Sequence, residues 1–222
     1  MIRKYVMLIT VVFPWFIKKW VYRAFGYTIS DTAHVGLSWL YPDNMILADG
    51  ARVGSLTVCK NISLLKLDVN ARIGALNWIT GFPLIQNYQG YFSSELDRSP
   101  SLILGSESAI TARHMIDCTA CITIGSFSTI AGVRSQFLTH GIDISLSRQI
   151  SASITVGDYC FIGTGCIFLK GCVIPNFSVV GAGSIVNSVQ SEEFCLFAGV
   201  PAKKIKNIHS NAGYFLRLKG VV

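Results

Sequence analysis

Residues 156–186 read VGDYCFIGTGCIFLKGCVIPNFSVVGAGSIV, and a single period runs through them. A large apolar residue recurs every six positions at Val156, Ile162, Phe168, Ile174, Val180 and Val186. A small residue keeps the same register at Cys160, Cys166, Cys172, Ser178 and Ser184. A helix repeats every 3.6 residues and a coiled coil every 3.5, so neither carries a period of six. A strand of about four residues followed by a turn of about two does carry it, with one large apolar side chain pointing inward per unit. Three such units make a coil of eighteen residues. One coil cannot bury its own apolar side, so coils must stack, and the expected fold is a parallel β-helix prism.

The same pattern extends toward the N-terminus. ISDTAHVG begins at Ile29, LADGARVG at Leu47, LDVNARIG at Leu67, LGSESAIT at Leu104 and IGSFSTIA at Ile124. The starts at 29 and 47, and at 156 and 174, are eighteen apart. Those at 47 and 67, and at 104 and 124, are twenty apart, one coil plus a two-residue loop extension. Two stretches lose the period, 81–101 (GFPLIQNYQGYFSSELDRSPS) and 139–153 (THGIDISLSRQISAS). Insertions in a solenoid leave through a corner and land on one face, so both breaks are expected beside a functional surface. The chain divides into a basic amphipathic helical segment at 1–26, a β-helix domain at 27–206 and a C-terminal tail at 207–222, where a short helix is expected.

Composition bounds the function. The 222 residues are 51% hydrophobic and 14% charged, with 19 Lys and Arg against 12 Asp and Glu. That excludes a disordered chain. The mean hydropathy of +0.49 is high. The apolar run from Tyr5 to Ile17 is nevertheless broken by Pro14 and is shorter than the roughly 20 residues that span a bilayer. No small-residue cleavage site follows this run, so no secretory signal is expected. The net +7 is uneven: residues 1–26 and 203–222 each hold five basic residues and no acid, whereas 27–202 hold nine basic and twelve acidic. A mildly acidic body disfavours a nucleic-acid groove, which needs clustered Lys and Arg.

The seven cysteines read as small apolar fillers of a reduced chain. Three sit in the six-residue register, and Cys118 and Cys121 form a lone CxxC without a second pair at zinc spacing. No metal is called for. Of four histidines, His114 falls at the small position of a hexad, His34 at a variable position and His209 in a polar tail. His140 alone lies in an interruption of the repeat. Imidazole exchanges a proton near neutral pH, which suits a general base, although an isolated loop histidine is more often an exposed bystander. Asp143, three residues on, is the local candidate to hold its tautomer, with Asp117 and Glu107 as rivals from earlier coils.

The hexads, together with THG at 139–141, IGTGCIF at 162–168, VGAGSIV at 180–186 and FAGVPAKKIK at 197–206, resemble the hexapeptide-repeat acyltransferases, in particular the sugar and polysaccharide O-acetyltransferases. The resemblance covers roughly 27–206. It implies a left-handed prism, a homotrimer, His140 as catalytic base at a subunit interface, and acetyl-CoA or another acyl-CoA as co-substrate. By match, Thr164, Gly181 and Ala182 would lie along the pantetheine arm, and Lys203 or Lys206 at the phosphate end. One departure stands out: where the family commonly has Val-Thr-Lys after Gly-Ala-Gly-Ser, this chain has Val186-Asn187-Ser188.

The function expected from these features is acyl transfer from coenzyme A to a sugar hydroxyl of a polysaccharide or glycan precursor. Two alternatives stand beside it: a catalytically silent β-helix scaffold, and an acyltransferase for a small amine or amino acid. The acceptor pocket is expected between 81–101 and 139–153, near Trp39, Asn77 and Trp78. Residues 1–26 have two readings, a cap on the open end of the prism and a basic-aromatic helix pair on an anionic membrane. The expected location is cytoplasmic, with the second reading placing the protein at the inner face of the membrane.

Overall fold

The computed structural model describes residues 2–84, 91–92, 95 and 97–220. Residues 85–90, 93, 94 and 96, in the expected insertion 81–101, lie outside the described residues. Two helices open the chain, α1 (Ile2–Ile9) and α2 (Trp15–Ala24), with a 3-10 turn at Thr10–Val12 and Pro14 between them. Short strands then wind round three parallel faces, here A, B and C. Their first strands are Thr28–Ile29, His34–Val35 and Trp39–Tyr41 respectively.

The pairing register reproduces the spacing of the sequence. Thr28 pairs with Ile46 and Thr155 with Val173, eighteen residues on, and Ile46 pairs with Lys66, twenty on. The register lengthens where the period breaks: Lys66 pairs with Ile103, and Thr123 with Thr155. The six large residues from Val156 to Val186 are all fully buried, as are Cys160, Cys166, Cys172 and Ser178, with Ser184 all but buried. Inside the prism Phe137 and Phe168 stack from successive coils, centroids 4.6 Å apart.

The corner between faces A and B has its own ladder. Phe127, Tyr159, Phe177 and Phe194 all adopt left-handed backbone, φ between 53° and 57°, which non-glycine residues disfavour. Their rings stack at 4.7, 5.4 and 4.7 Å. The tail returns along this ladder. Phe215 packs edge-on against Phe177 and Phe194, the Tyr214 hydroxyl donates to the Cys160 carbonyl, and Arg217 lies 3.6 Å from the Tyr214 ring centroid. The expected C-terminal helix is reduced to one 3-10 turn, Gly213–Phe215, because ring-to-ring contacts and not helical pairing hold the tail.

The end of the prism also differs from a simple continuation of coils. Strand Cys195–Gly199 adds to face B in parallel, and Ala202–Asn207 then turns back antiparallel along it. This strand covers the otherwise open edge of that sheet.

His114 has the structural place that its hexad position predicts. Its Nδ1 accepts the Ser135 N–H and its Nε2 donates to Thr111 Oγ1, at 3.1 and 2.9 Å. Burial disfavours the imidazolium and lowers the pKa from 6.5 to about 4, partly opposed by the Ser135 contact. Below pH 6.5 the unfolded chain therefore takes up a proton that the native imidazole refuses. Stability should fall as pH drops from about 6.5 to about 4, by roughly 3 kcal/mol at most. Urea titrations at pH 7 and 4.5 check this: His114→Asn should be less stable at pH 7 but lose this part of the acid slope, and an unchanged slope would contradict it.

Candidate active site

The second break in the repeat, 139–153, is an antiparallel hairpin standing off the prism, His140–Asp143 against Arg148–Ser151. His140 begins it, immediately after strand Gln136–Leu138 of face C. In the preceding coil Asp117 ends strand Met115–Asp117 and pairs in register with Leu138. That register delivers the Asp117 carboxylate to the first residues of the hairpin. Its Oδ2 lies 2.6 Å from His140 Nδ1 and accepts the backbone N–H groups of Thr139 and His140 at 3.0 and 3.2 Å. Its Oδ1 accepts from the Thr119 N–H at 3.2 Å and the Thr119 hydroxyl at 2.6 Å.

Asp117 is buried. Burial alone would raise its pKa, but the hydrogen bonds from His140 and Thr119 and the His140 charge outweigh it and hold the carboxyl below the usual carboxylate range. A carboxylate facing Nδ1 places the imidazole proton on Nδ1 and leaves Nε2 with its lone pair. Nε2 makes no hydrogen bond among the described residues. The arrangement is a proton acceptor of fixed tautomer, its side chain one-third exposed.

Asp143 does not reach this site. Three residues along an extended strand place it on the opposite face from His140, about 10 Å away along the chain. Its Oδ1 accepts instead from the Leu146 N–H at 3.1 Å in the hairpin turn. The expectation for Asp143 is therefore corrected in favour of Asp117.

The first break folds back onto the same corner. Phe82 stands edge-on to the imidazole with centroids 5.3 Å apart. Arg98 ties it there, donating to the carbonyls of Phe82, Thr119 and Pro83 at 2.6, 3.0 and 3.2 Å and packing on Phe92. Beside them lies a cavity of about 460 Å³ whose lining includes Glu95, Arg98, Ala120, Cys121 and Ser151. Glu95 accepts the Ser151 N–H at 2.6 Å and also its hydroxyl. Ser151, which lines the cavity, is the backbone partner of His140 across the hairpin.

The residues expected along coenzyme A lie at another corner, between faces B and C. Thr164 Oγ1 donates to the Val133 carbonyl at 2.8 Å, and the Thr164 carbonyl accepts the Gly183 N–H at 2.9 Å. Thr164 and Ala182 are exposed and stacked. A Cβ on Gly163 would stand 2.6 Å from the Ala182 nitrogen, so glycine sets the coil spacing there. Gly181 is half-buried, its hypothetical Cβ 3.0 Å from that of Ala198. Lys203 and Lys206 are exposed on the returning strand, while Lys204 pairs with Glu192. Strand Ile167–Leu169 separates this corner from that of His140, so the two corners lie at opposite edges of face C.

Solved structures share this architecture. A polysialic acid O-acetyltransferase matches over 82% of this chain and 84% of its own, with TM-score 0.58 and 16% identity. The chain has the left-handed β-helix fold of the hexapeptide-repeat acyltransferases. An N-acyltransferase from Bacillus cereus, in complex with dTDP-4-amino-4,6-dideoxyglucose and coenzyme A, matches over 87% of this chain and 89% of its own, at TM-score 0.50 and 13% identity. A hexapeptide-repeat acetyltransferase from Vibrio cholerae is 26% identical over 49% of this chain; the match spans 63% of that protein's length, at TM-score 0.46. No protein-family model matches the chain, and no curated protein matches it.

Three residues around His140 are unnamed in the sequence pattern, Thr119, Phe82 and Arg98, whereas Thr139 stands in the THG motif at 139–141. Thr119 had a signal in the coil step, which on this face is twenty-one residues and sets Asp117 beside Leu138, directly before Thr139-His140. Arg98 and Phe82 had none, since no period runs through their insertion. Asn77 is structural, donating to the Gly74 and Thr111 carbonyls and accepting the His114 N–H. Trp39 and Trp78 lie on face C, where Lys60 sits over both rings.

Proposed function

We propose that this protein transfers an acyl group, in the first instance acetyl, from coenzyme A to a sugar hydroxyl of a polysaccharide or glycan precursor. The observation that carries the reading is the 2.6 Å contact between His140 Nδ1 and the buried Asp117 carboxylate. Nε2 then takes the hydroxyl proton as the oxygen attacks the thioester carbonyl, and the thiolate leaves from the tetrahedral adduct. The 460 Å³ cavity beside Ser151 is in the size range of small-molecule sites and offers carboxylate, guanidinium and hydroxyl groups suited to a sugar. The fold supports the same reading, since an O-acetyltransferase of polysialic acid shares it.

The thioester would lie along the exposed backbone of Thr164 and Ala182, with the half-buried Gly181 in the same coil and the phosphates toward Lys203 and Lys206. These lysines replace the charge missing at Asn187-Ser188. Base and donor corner are a full face apart in one chain. The site is therefore shared between copies of a homotrimer, the His140 corner of one facing the Thr164 corner of the next.

Transfer from labelled acetyl-CoA, screened over hydroxyl sugars and amino sugars, tests this function. Labelled O-acetyl product is the expected result, and transfer only to amines would overturn the acceptor class. Ala182→Tyr should raise the KM for acetyl-CoA about tenfold or more while leaving the fold intact, because the side chain is exposed and the new ring covers the donor corner. An unchanged KM would move the donor elsewhere.

A further inference from the structure

The helix pair α1 and α2 lies across the N-terminal end of the prism, α1 against Trp39–Tyr41 and α2 against Thr28–Ile29. It carries apolar side chains on both of its sides. The side facing the prism buries Met7, Thr10, Tyr22 and the whole of Lys18. The Lys18 ammonium donates to the Gly36 and Val11 carbonyls at 2.7 and 3.1 Å, and burial lowers its pKa to about 8. The outward side carries an exposed apolar stripe: Tyr5, Leu8, Ile9 and Val12 before the Pro14 junction, and Phe16 and Trp20, four residues apart, on α2. Val12, Phe16 and Trp20 are 75, 70 and 72% exposed. A cap alone would turn this stripe inward and leave the lysine in water.

We propose that this face is an in-plane docking surface for an anionic phospholipid bilayer. No described helix is long and apolar enough to cross a membrane, so the stripe lies in the interface and does not span it. The flank charge selects the occupant. Of the five basic residues in 1–26 Lys18 is buried and adds nothing to this surface; Lys4 is exposed, and Lys19 and Arg23 share a single acid, Asp31, at 3.3 and 2.9 Å, so the flank keeps a net positive charge. A surface that is apolar at its centre and positive at its rim matches anionic headgroups over an acyl layer. A second copy docked through the same stripe would instead oppose like charges, which disfavours self-association there. Aromatic side chains such as Trp20 and Tyr5 suit the headgroup level. A bilayer at this end would hold the prism upright, its side corners clear of the surface.

Co-sedimentation of the full chain with vesicles tests the surface independently of any acyl transfer. Binding should be strong to phosphatidylcholine vesicles containing phosphatidylglycerol and weak to phosphatidylcholine alone, and it should weaken in 1 M salt. The double variant F16E/W20E should bind about tenfold less or weaker, with unchanged thermal unfolding, since both side chains project into solvent. A second measurement keeps the stripe apolar: the Trp20 fluorescence, isolated by comparison with W20F, should become shielded from aqueous quenchers on anionic vesicles. Absent binding, equal binding by F16E/W20E, or a lipid-independent assembly that the double variant dissolves would each overturn the proposal.

Discussion

Asp117→Asn should lower the kcat of acyl transfer by about 10³ to 10⁴-fold, with KM for both substrates nearly unchanged. The size follows from tautomer control. The carboxylate holds the proton on Nδ1 and leaves Nε2 basic. An amide at the same place can donate to Nδ1 and shift the proton to Nε2, where the base is needed. It also removes the negative charge that would stabilise the imidazolium as it forms. Asp143→Asn should change kcat by less than about twofold, because its carboxylate serves the Leu146 turn. The pair separates the two carboxylates in a single steady-state assay. Equal losses from both variants, or no loss from Asp117→Asn, would contradict the assignment.

Phe168→Ala should cost about 3–5 kcal/mol of stability, the range for removing a buried aromatic ring from a core. Phe168 is fully buried and lies parallel to Phe137 from the adjacent coil, with 3° between the ring planes. The interior of a narrow prism cannot collapse round the gap, because strands on three faces hold the coil diameter. Thermal unfolding should shift down by about 10 °C for a chain of this length. Val189→Ala, at an exposed apolar position, should move it by no more than a degree or two. A loss below about 1 kcal/mol for Phe168→Ala would mean that the ring is not a core residue.

The prism was legible in the sequence because its period is imposed by geometry at every coil. Ile162, Phe168 and Ile174 could take no place other than the interior once the six-residue step was seen, and all three are fully buried. The breaks at 81–101 and 139–153 were legible for the same reason, as failures of the step. What an insertion does after leaving the prism follows no period. That 139–153 forms a hairpin, and that Arg98 fastens Phe82 against His140, depend on contacts between segments far apart in sequence.

Asp143 was favoured over Asp117 by nearness in the chain, which is a poor guide in a solenoid. Residues one coil apart, such as Asp117 and Leu138, are neighbours, whereas residues three apart on a strand face away from each other. The N-terminal segment was half legible. Its basic and aromatic composition and its break at Pro14 were plain, but which side faces the prism was decided by the burial of Lys18 against Gly36. The tail was expected as a helix and is held by the Phe127, Tyr159, Phe177 and Phe194 ladder, whose rings lie along one corner only after the coils stack.

In the proposed reaction His140, aligned by Asp117, is the base of a coenzyme A-dependent transfer to a hydroxyl. The most direct measurement is acetyl transfer from labelled acetyl-CoA to the best sugar acceptor by the wild-type protein and by His140→Ala, with coenzyme A affinity determined on both by calorimetry. His140→Ala should bind coenzyme A within about twofold of wild type and lose transfer by about 10³-fold or more. Retained transfer in His140→Ala, with the fold and coenzyme A binding intact, would contradict the account.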